Sequence, residues 1–151
     1  MGTNDSQASR KLRVTHSFTA SRERVFRAWL EPEAIRAWFL PAGGTWTEPP
    51  AVDARPGGHY RFTVVHQGHP YCIHGTYLEV NPPDKLVFTW LWEDDPIRGD
   101  SADTVVTVEL FDRGGRTEVV VTHEKFPSGE ACEEHRVGWA ECLAEIEKLL
   151  S

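Results

Sequence analysis

Four side chains that can bind a metal ion lie within nine residues of the sequence. They are His66, His69, Cys72 and His74. Imidazole nitrogens and thiolates are donors that zinc prefers, but a zinc site requires these donors to converge on one point. A glycine and a proline interrupt the segment, and its spacing does not favour convergence. We therefore predict no metal and no other cofactor, and zinc binding by this histidine cluster is kept as an alternative.

Two further histidines fall where the hydrophobic pattern predicts apolar surroundings. His123 ends the last predicted strand on its apolar side, and His135 lies on the apolar side of a predicted C-terminal helix. A neutral imidazole in such a place can hydrogen-bond to a ligand, and its ordinary pKa of about 6.5 also suits general-base chemistry. The alternative is a core histidine that bonds to the backbone or to a neighbouring carboxylate.

Nucleophilic catalysis finds little support in the sequence. Cys132 precedes His135 by three residues, but packing explains that spacing on an apolar helix face. A GxSxG segment and a glycine-rich phosphate loop are both missing, and no acid and base pair can be identified. We assign no catalytic residue, and an enzyme is kept as an alternative.

The content of aromatic side chains is high, with six tryptophans in 151 residues. Many of these rings fall in elements that would surround a space between a sheet and a helix, and ligand cavities are typically apolar and of about 300–1,000 Å³. We predict a pocket for a small hydrophobic or aromatic molecule; the alternative is that the rings only fill the core. The predicted ligand-binding residues are Trp38, Phe39, Trp46, Tyr60, Phe62, Tyr77, Phe88, Trp90, His123, His135 and Trp139.

Residues 128–150 are predicted to form the long helix that covers this space. At 100° per residue its apolar side chains form one stripe, with most of the charged side chains opposite. The stripe consists of Ala131, Cys132, His135, Trp139, Cys142, Leu143, Ile146, Leu149 and Leu150. Ser128 has the side chain of an N-cap residue. Such a helix is expected to lie across a sheet.

Most of the remaining chain alternates between apolar and polar residues, which predicts strands joined by short turns. We place the strands at residues 12–18, 45–52, 58–66, 72–81, 85–92, 104–111 and 116–123. Two short helices are predicted after the first strand, separated at Pro32. The predicted fold class is α+β, with a curved antiparallel sheet of about seven strands and the long C-terminal helix packed over it around a cavity.

Composition narrows the class of protein further. The net charge of −7 and the pI near 5.5 argue against a nucleic-acid partner, which requires a basic face. No apolar run approaches the ~20 residues of a membrane span, so no membrane association is predicted. Three cysteines without CxxC spacing indicate reduced thiols and a cytoplasmic location. Residues 1–11 are predicted to be a disordered tail, and residues 12–151 a single domain.

Several segments resemble one protein family over residues 12–150. They are SRERVFRAW at 21–29, AWF at 37–39, DARPGG at 53–58, GTYLEVNPPDKLVFT at 75–89 and GW at 138–139. In this order they resemble the family named after the activator of Hsp90 ATPase homologue 1 (AHSA1), within the START-like or SRPBCC helix-grip superfamily. The resemblance implies a helix-grip fold that holds hydrophobic ligands between sheet and helix.

Three functions are compatible with these features of the sequence. The first is a cytosolic binding module for a small hydrophobic or aromatic ligand. The second, implied by the family name, is an Hsp90-related or other protein-interaction module of the co-chaperone or stress-response type. It would have a chaperone partner, and a homodimer also stays open. The third is a cavity enzyme that acts on polyketide-like or lipid-like substrates.

Two structural expectations concern the predicted pocket. Residues 38–46 contain Pro41 and the pair Gly43-Gly44, so we predict a lid with little regular structure. Gly138, next to Trp139, is expected to let the helix approach the sheet closely or to bend it.

Overall fold

The computed structural model describes residues 10–39, 44–93, 104–126 and 128–151. Within them the chain forms eight strands and three helices. In chain order these are β1 (Lys11–Phe18), α1 (Arg22–Ala28), α2 (Pro32–Trp38), β2 (Thr45–Trp46), β3 (Ala51–Val52), β4 (His59–His66), β5 (His69–Asn81), β6 (Lys85–Glu93), β7 (Thr104–Asp112), β8 (Thr117–Glu124) and α3 (Gly129–Leu150). This order matches the predicted one except at residues 45–52, where two strands replace the single predicted strand.

The strands form an antiparallel sheet in the order β1-β8-β7-β6-β5-β4-β2, and β3 also pairs with β4. The strands from β4 to β8 follow one another in space as they do in sequence, and short turns join β4 to β5, β5 to β6 and β7 to β8. The first strand then pairs with the last, with Val14 opposite Val121. The sheet is curved and α3 packs against it, so the predicted α+β helix-grip fold is confirmed.

The structure corrects the strand count. The predicted strand at residues 45–52 is two short strands, which pair separately with β4: Thr45 lies opposite Val65, and Ala51 lies opposite Arg61. Between them stand Pro49 and Pro50, which have no N–H group to donate to a neighbouring strand. The sheet therefore has eight strands in the described residues rather than about seven.

Alternating side chains of the central strands form the buried face of the sheet. On β6 every second residue is buried, and the row ends with Phe88, Trp90 and Trp92. Equivalent buried rows run along β4, β7 and β8, so the alternation correctly identified the core face. Aromatic rings fill much of the core, with ring centroids 5.1 Å apart for Trp90 and Trp139 and 5.0 Å apart for Trp29 and Trp38.

The long helix begins as predicted. The Ser128 hydroxyl accepts a hydrogen bond from the Ala131 N–H at 3.1 Å, which caps the first turn. The buried side chains of α3 are Ala131, Cys132, His135, Trp139, Leu143 and Ile146. One predicted member of the apolar stripe, Leu149, is 41% exposed, whereas Leu150 is partly buried against the core.

Several expectations fall wholly or partly outside the described residues. Residues 1–9 of the predicted tail and residues 40–43 of the predicted lid belong to this group. The described chain is already in β1 at Lys11. The three cysteines are free thiols, of which Cys72 and Cys132 are buried. None of the helices in the described residues combines the length and the apolar character that crossing a membrane requires.

Candidate functional site

A cleft of about 600 Å³ opens where the end of α2, the end of β6 and one flank of α3 meet. Its lining residues are Ala37, Trp38, Phe39, Trp90, Trp92, Glu134, His135, Val137, Gly138, Trp139, Glu141, Cys142 and Glu145. Aromatic side chains from three different elements form one side of the cleft. The exposed flank of α3 forms the other.

We call the five aromatic residues the aromatic wall. They are Trp38, Phe39, Trp90, Trp92 and Trp139. The Trp90 ring is central, with its centroid 5.8 Å from that of Phe39 and 6.3 Å from that of Trp92. The rings meet at tilted or edge-to-face angles, which are the favourable geometries for aromatic pairs. Trp38 is fixed by a 2.7 Å hydrogen bond from its Nε1 to the Ala28 carbonyl.

The space between the sheet and the two short helices is almost filled. A second void there measures only about 10 Å³, close to the smallest volume that holds one water molecule. Its lining residues are Trp29, Trp38, Tyr60, Phe62, Tyr77, Leu86, Phe88 and Trp90. In this part of the protein the rings fill the core, and the larger open volume lies to the side of α3.

His123 is fully buried behind the aromatic wall. Its Nδ1 accepts a hydrogen bond from Trp139 Nε1 at 3.0 Å, so the proton of the neutral ring is on Nε2. Nε2 lies 2.7 Å from the Thr104 hydroxyl, which in turn donates to the Trp90 carbonyl. Burial, followed by the nearby His135, lowers the pKa of His123 well below 6.5. His123 is therefore a neutral core residue that ties β8 to β6 and α3.

His135 has the opposite tautomer. Its Nε2 accepts a hydrogen bond from Trp92 Nε1 at 2.8 Å, so Nδ1 carries the proton and donates it to the Ala131 carbonyl at 2.7 Å. Both histidines thus use both ring nitrogens in bonds to protein groups. These bonds give each imidazole a structural role. This agrees with the alternative interpretation, in which both are core histidines.

The structure sorts the eleven predicted ligand-binding residues into three groups. Five line the cleft: Trp38, Phe39, Trp90, His135 and Trp139. Four line only the small void: Tyr60, Phe62, Tyr77 and Phe88. Two line neither: His123, and Trp46, whose ring packs behind Phe39. Their role in binding a ligand stays a prediction.

The sequence reasoning missed the side of the cleft that α3 provides. The missed residues on α3 are Glu134, Val137, Gly138, Glu141, Cys142 and Glu145, and Ala37 of α2 and Trp92 of β6 were missed as well. The sequence contained a signal for this flank of the helix. Four of its residues follow one another at steps of four, three and four: Glu134, Gly138, Glu141 and Glu145. That spacing places them on one flank of a helix, next to the apolar stripe.

Gly138 faces open space rather than the sheet. A Cβ atom built on Gly138 would have no atom within 4 Å outside its own helix backbone and chain neighbours. The glycine is therefore not needed for a close approach between helix and sheet, so that alternative is wrong, and the alternative of a helix bend stays a prediction. The absent side chain of Gly138 instead leaves room in the cleft.

The residues of the histidine cluster in the β4–β5 hairpin lie in different environments. His66 and His69 lie opposite each other at the hairpin end, while His74 forms an ion pair with Glu93 at 3.1 Å. Cys72 is buried, which raises the pKa of its thiol. No three His, Cys, Asp or Glu side chains converge on a common metal position in the described part of the chain.

An antiparallel sheet curved around one long C-terminal helix, with two short helices after the first strand, defines the START-like helix-grip class. The chain belongs to the AHSA1 family within this class, because the sequence model of the family "Activator of Hsp90 ATPase homolog 1-like protein" matches residues 19–151. The predicted family membership is confirmed. Membership in a family with this fold is consistent with a module of the ligand-binding type.

Solved structures agree with this assignment. A protein of Chromobacterium violaceum is 27% identical, with a TM-score of 0.81 over 93% of this chain and 96% of its own. The AHSA1 protein of Silicibacter pomeroyi is 23% identical, with a TM-score of 0.79 over 93% and 96%, which shows the shared fold. CalU16 of Micromonospora echinospora is 25% identical, with a TM-score of 0.69 over 93% and 76%. Among curated proteins, none matches the chain.

Proposed function

We propose that this protein is a binding module for a small hydrophobic or aromatic molecule, and that the molecule occupies the cleft beside α3. The observation that carries the proposal is the aromatic wall, which faces an open volume of about 600 Å³. That volume falls within the usual range of about 300–1,000 Å³ for ligand sites, and such sites are mostly lined by apolar and aromatic side chains. The fold of the family is consistent with this function.

One hydrogen-bond donor of the aromatic wall has no partner among the described residues. The Trp90 Nε1 atom is buried and has no hydrogen-bond partner among the described residues, whereas Trp92 and Trp139 donate to histidines. Trp29 shares this property but lines only the small void. A buried donor without a partner costs about 1–3 kcal/mol. Because the atom is also shielded from solvent, this cost belongs to the folded core rather than to ligand binding.

A larger side chain at position 138 would fill the cleft without changing the core. The change Gly138→Leu is expected to weaken binding of the neutral hydrophobic dye N-phenyl-1-naphthylamine by about tenfold or more, because the new side chain occupies the open volume. Gly138→Ala is the matched control and should keep the affinity of the natural protein. A fluorescence titration of the dye measures the dissociation constants.

Thermal unfolding shows whether each variant is folded. Gly138→Ala should be more stable than the natural protein by about 0.5–1 kcal/mol, because glycine is unfavourable inside a helix and the added methyl group meets nothing. If folded Gly138→Leu binds the dye as tightly as folded Gly138→Ala, the cleft is not the binding site and the proposal is wrong.

A further inference from the structure

Formal charge is distributed unevenly around the cleft. In the described residues, the charged side chains that line it are Glu134, Glu141 and Glu145, all carboxylates, and neither lysine nor arginine is among them. We call these three residues the acidic flank. They lie along the flank of α3 that lines the cleft. The lining of the cleft therefore contains both aromatic rings and negative charge.

Two residues of the acidic flank keep their charge accessible to a ligand. Glu145 pairs with Lys148 at 3.1 Å, but the Lys148 side chain is 74% exposed, so solvent weakens this ion pair. Glu141, one helical turn earlier, makes no ion pair with any residue that the structure describes. Neither carboxylate is neutralised by a buried basic group, and the cleft therefore attracts cations.

Cys142 lies beside two residues of the acidic flank. Its thiol lies between the two glutamates in sequence and lines the cleft with them. Burial first, and then the charges of Glu141 and Glu145, raise the pKa of Cys142 to about 12. The raised pKa keeps this thiol neutral, so Cys142 adds no charge of its own to the cleft.

We propose that the natural ligand of the cleft is an organic cation, an amine or quaternary ammonium group on a hydrophobic body, held between the aromatic wall and the acidic flank. This inference rests on the proposed function. The faces of tryptophan rings attract cations, and a ligand that displaces water from the cleft would strengthen this attraction. An anionic ligand would instead meet the charges of Glu141 and Glu145 at close range.

Three naphthalene probes of similar size separate the effect of charge from that of apolar contact. They are naphthylmethyl-trimethylammonium, naphthylmethanol and naphthylacetate, each titrated calorimetrically into the full chain at low salt. We expect the cation to bind about tenfold more tightly than the neutral alcohol, and the anion to bind least tightly. The ratio of the cation and alcohol dissociation constants is the quantity to compare between variants.

Substitutions on α3 test the origin of the preference. Glu141→Gln and Glu145→Gln should each reduce the cation-to-alcohol ratio by about threefold and leave binding of the alcohol unchanged. Glu133→Gln is the matched control, because Glu133 also pairs with a basic residue three positions later, Arg136 at 3.2 Å, but does not line the cleft. It should leave the ratio unchanged.

The outcomes separate this inference from the proposed function. Equal binding of the cation and the alcohol, or tighter binding of naphthylacetate, would overturn the inference and leave the binding module in place. A cation preference that Glu133→Gln reduces as much as Glu141→Gln does would also overturn it, since the cause would then be the overall charge of the helix. Binding of none of the probes would overturn the proposed function itself.

Discussion

Replacing Trp90 with alanine is expected to lower the free energy of unfolding by about 3–5 kcal/mol, the usual cost of truncating a large buried aromatic side chain. The Trp90 side chain is 4% exposed, and its ring contacts seven other aromatic or imidazole rings. Since whole domains are stable by only about 5–15 kcal/mol, the variant should be close to unfolding. Urea unfolding followed by circular dichroism measures the change.

Two phenylalanine variants are the controls for Trp90→Ala. Trp90→Phe and Trp139→Phe remove the same volume, but Trp90 Nε1 is unpaired in the described structure whereas Trp139 Nε1 donates to His123. Trp139→Phe leaves a buried acceptor without a donor, so it should cost about 1–3 kcal/mol more than Trp90→Phe. Equal costs for the two variants would contradict the hydrogen bonding described for the wall.

Acid is expected to destabilise the protein through His123 before the carboxylates begin to titrate. In the unfolded chain this histidine has its ordinary pKa near 6.5, and in the folded protein burial holds its pKa well below that value. Below pH 6.5 the unfolded state therefore binds more protons, and the free energy of unfolding falls as the pH falls. The expected loss from this group is about 2 kcal/mol between pH 6.5 and pH 5.

The structure gives the physical reason for this sign. A proton added to His123 Nδ1 would face the Trp139 N–H that now donates to it, and His135 lies with its ring centroid only 5.1 Å away. The Trp139 N–H and the nearby His135 ring both disfavour a protonated, positively charged His123 in the core. Above pH 6.5 the histidine is neutral in both states, so its contribution no longer changes with pH.

Glutamine variants test the assignment to His123. His123→Gln should be less stable than the natural protein at neutral pH but should lose less stability between pH 6.5 and pH 5. His59→Gln is the control, because His59 is exposed at the surface, where its Nδ1 lies 3.0 Å from the Thr76 hydroxyl, and is not part of the core. If His123→Gln and the natural protein show the same pH dependence, the loss arises from another group.

The sequence by itself determined the architecture. The 100° spacing of apolar residues from Ala131 to Ile146 defined the helix and its buried face, and Ser128 defined its start. Alternation along the central strands defined their buried rows, as on β6. These features depend on near neighbours in the chain, and the repeat of 3.6 or 2 residues can be recognised without knowing the rest of the fold.

Only the tertiary structure decided the position and character of the cleft. Open volume depends on how side chains from distant segments fill the core, and here the rings of β4, β5 and β6 fill the central space and leave the flank of α3 open. The bonds of His123 depend equally on distant partners, since Thr104 and Trp139 belong to different elements. Periodicity shows which side of a helix is buried, but the unfilled volume beside it arises from three-dimensional packing.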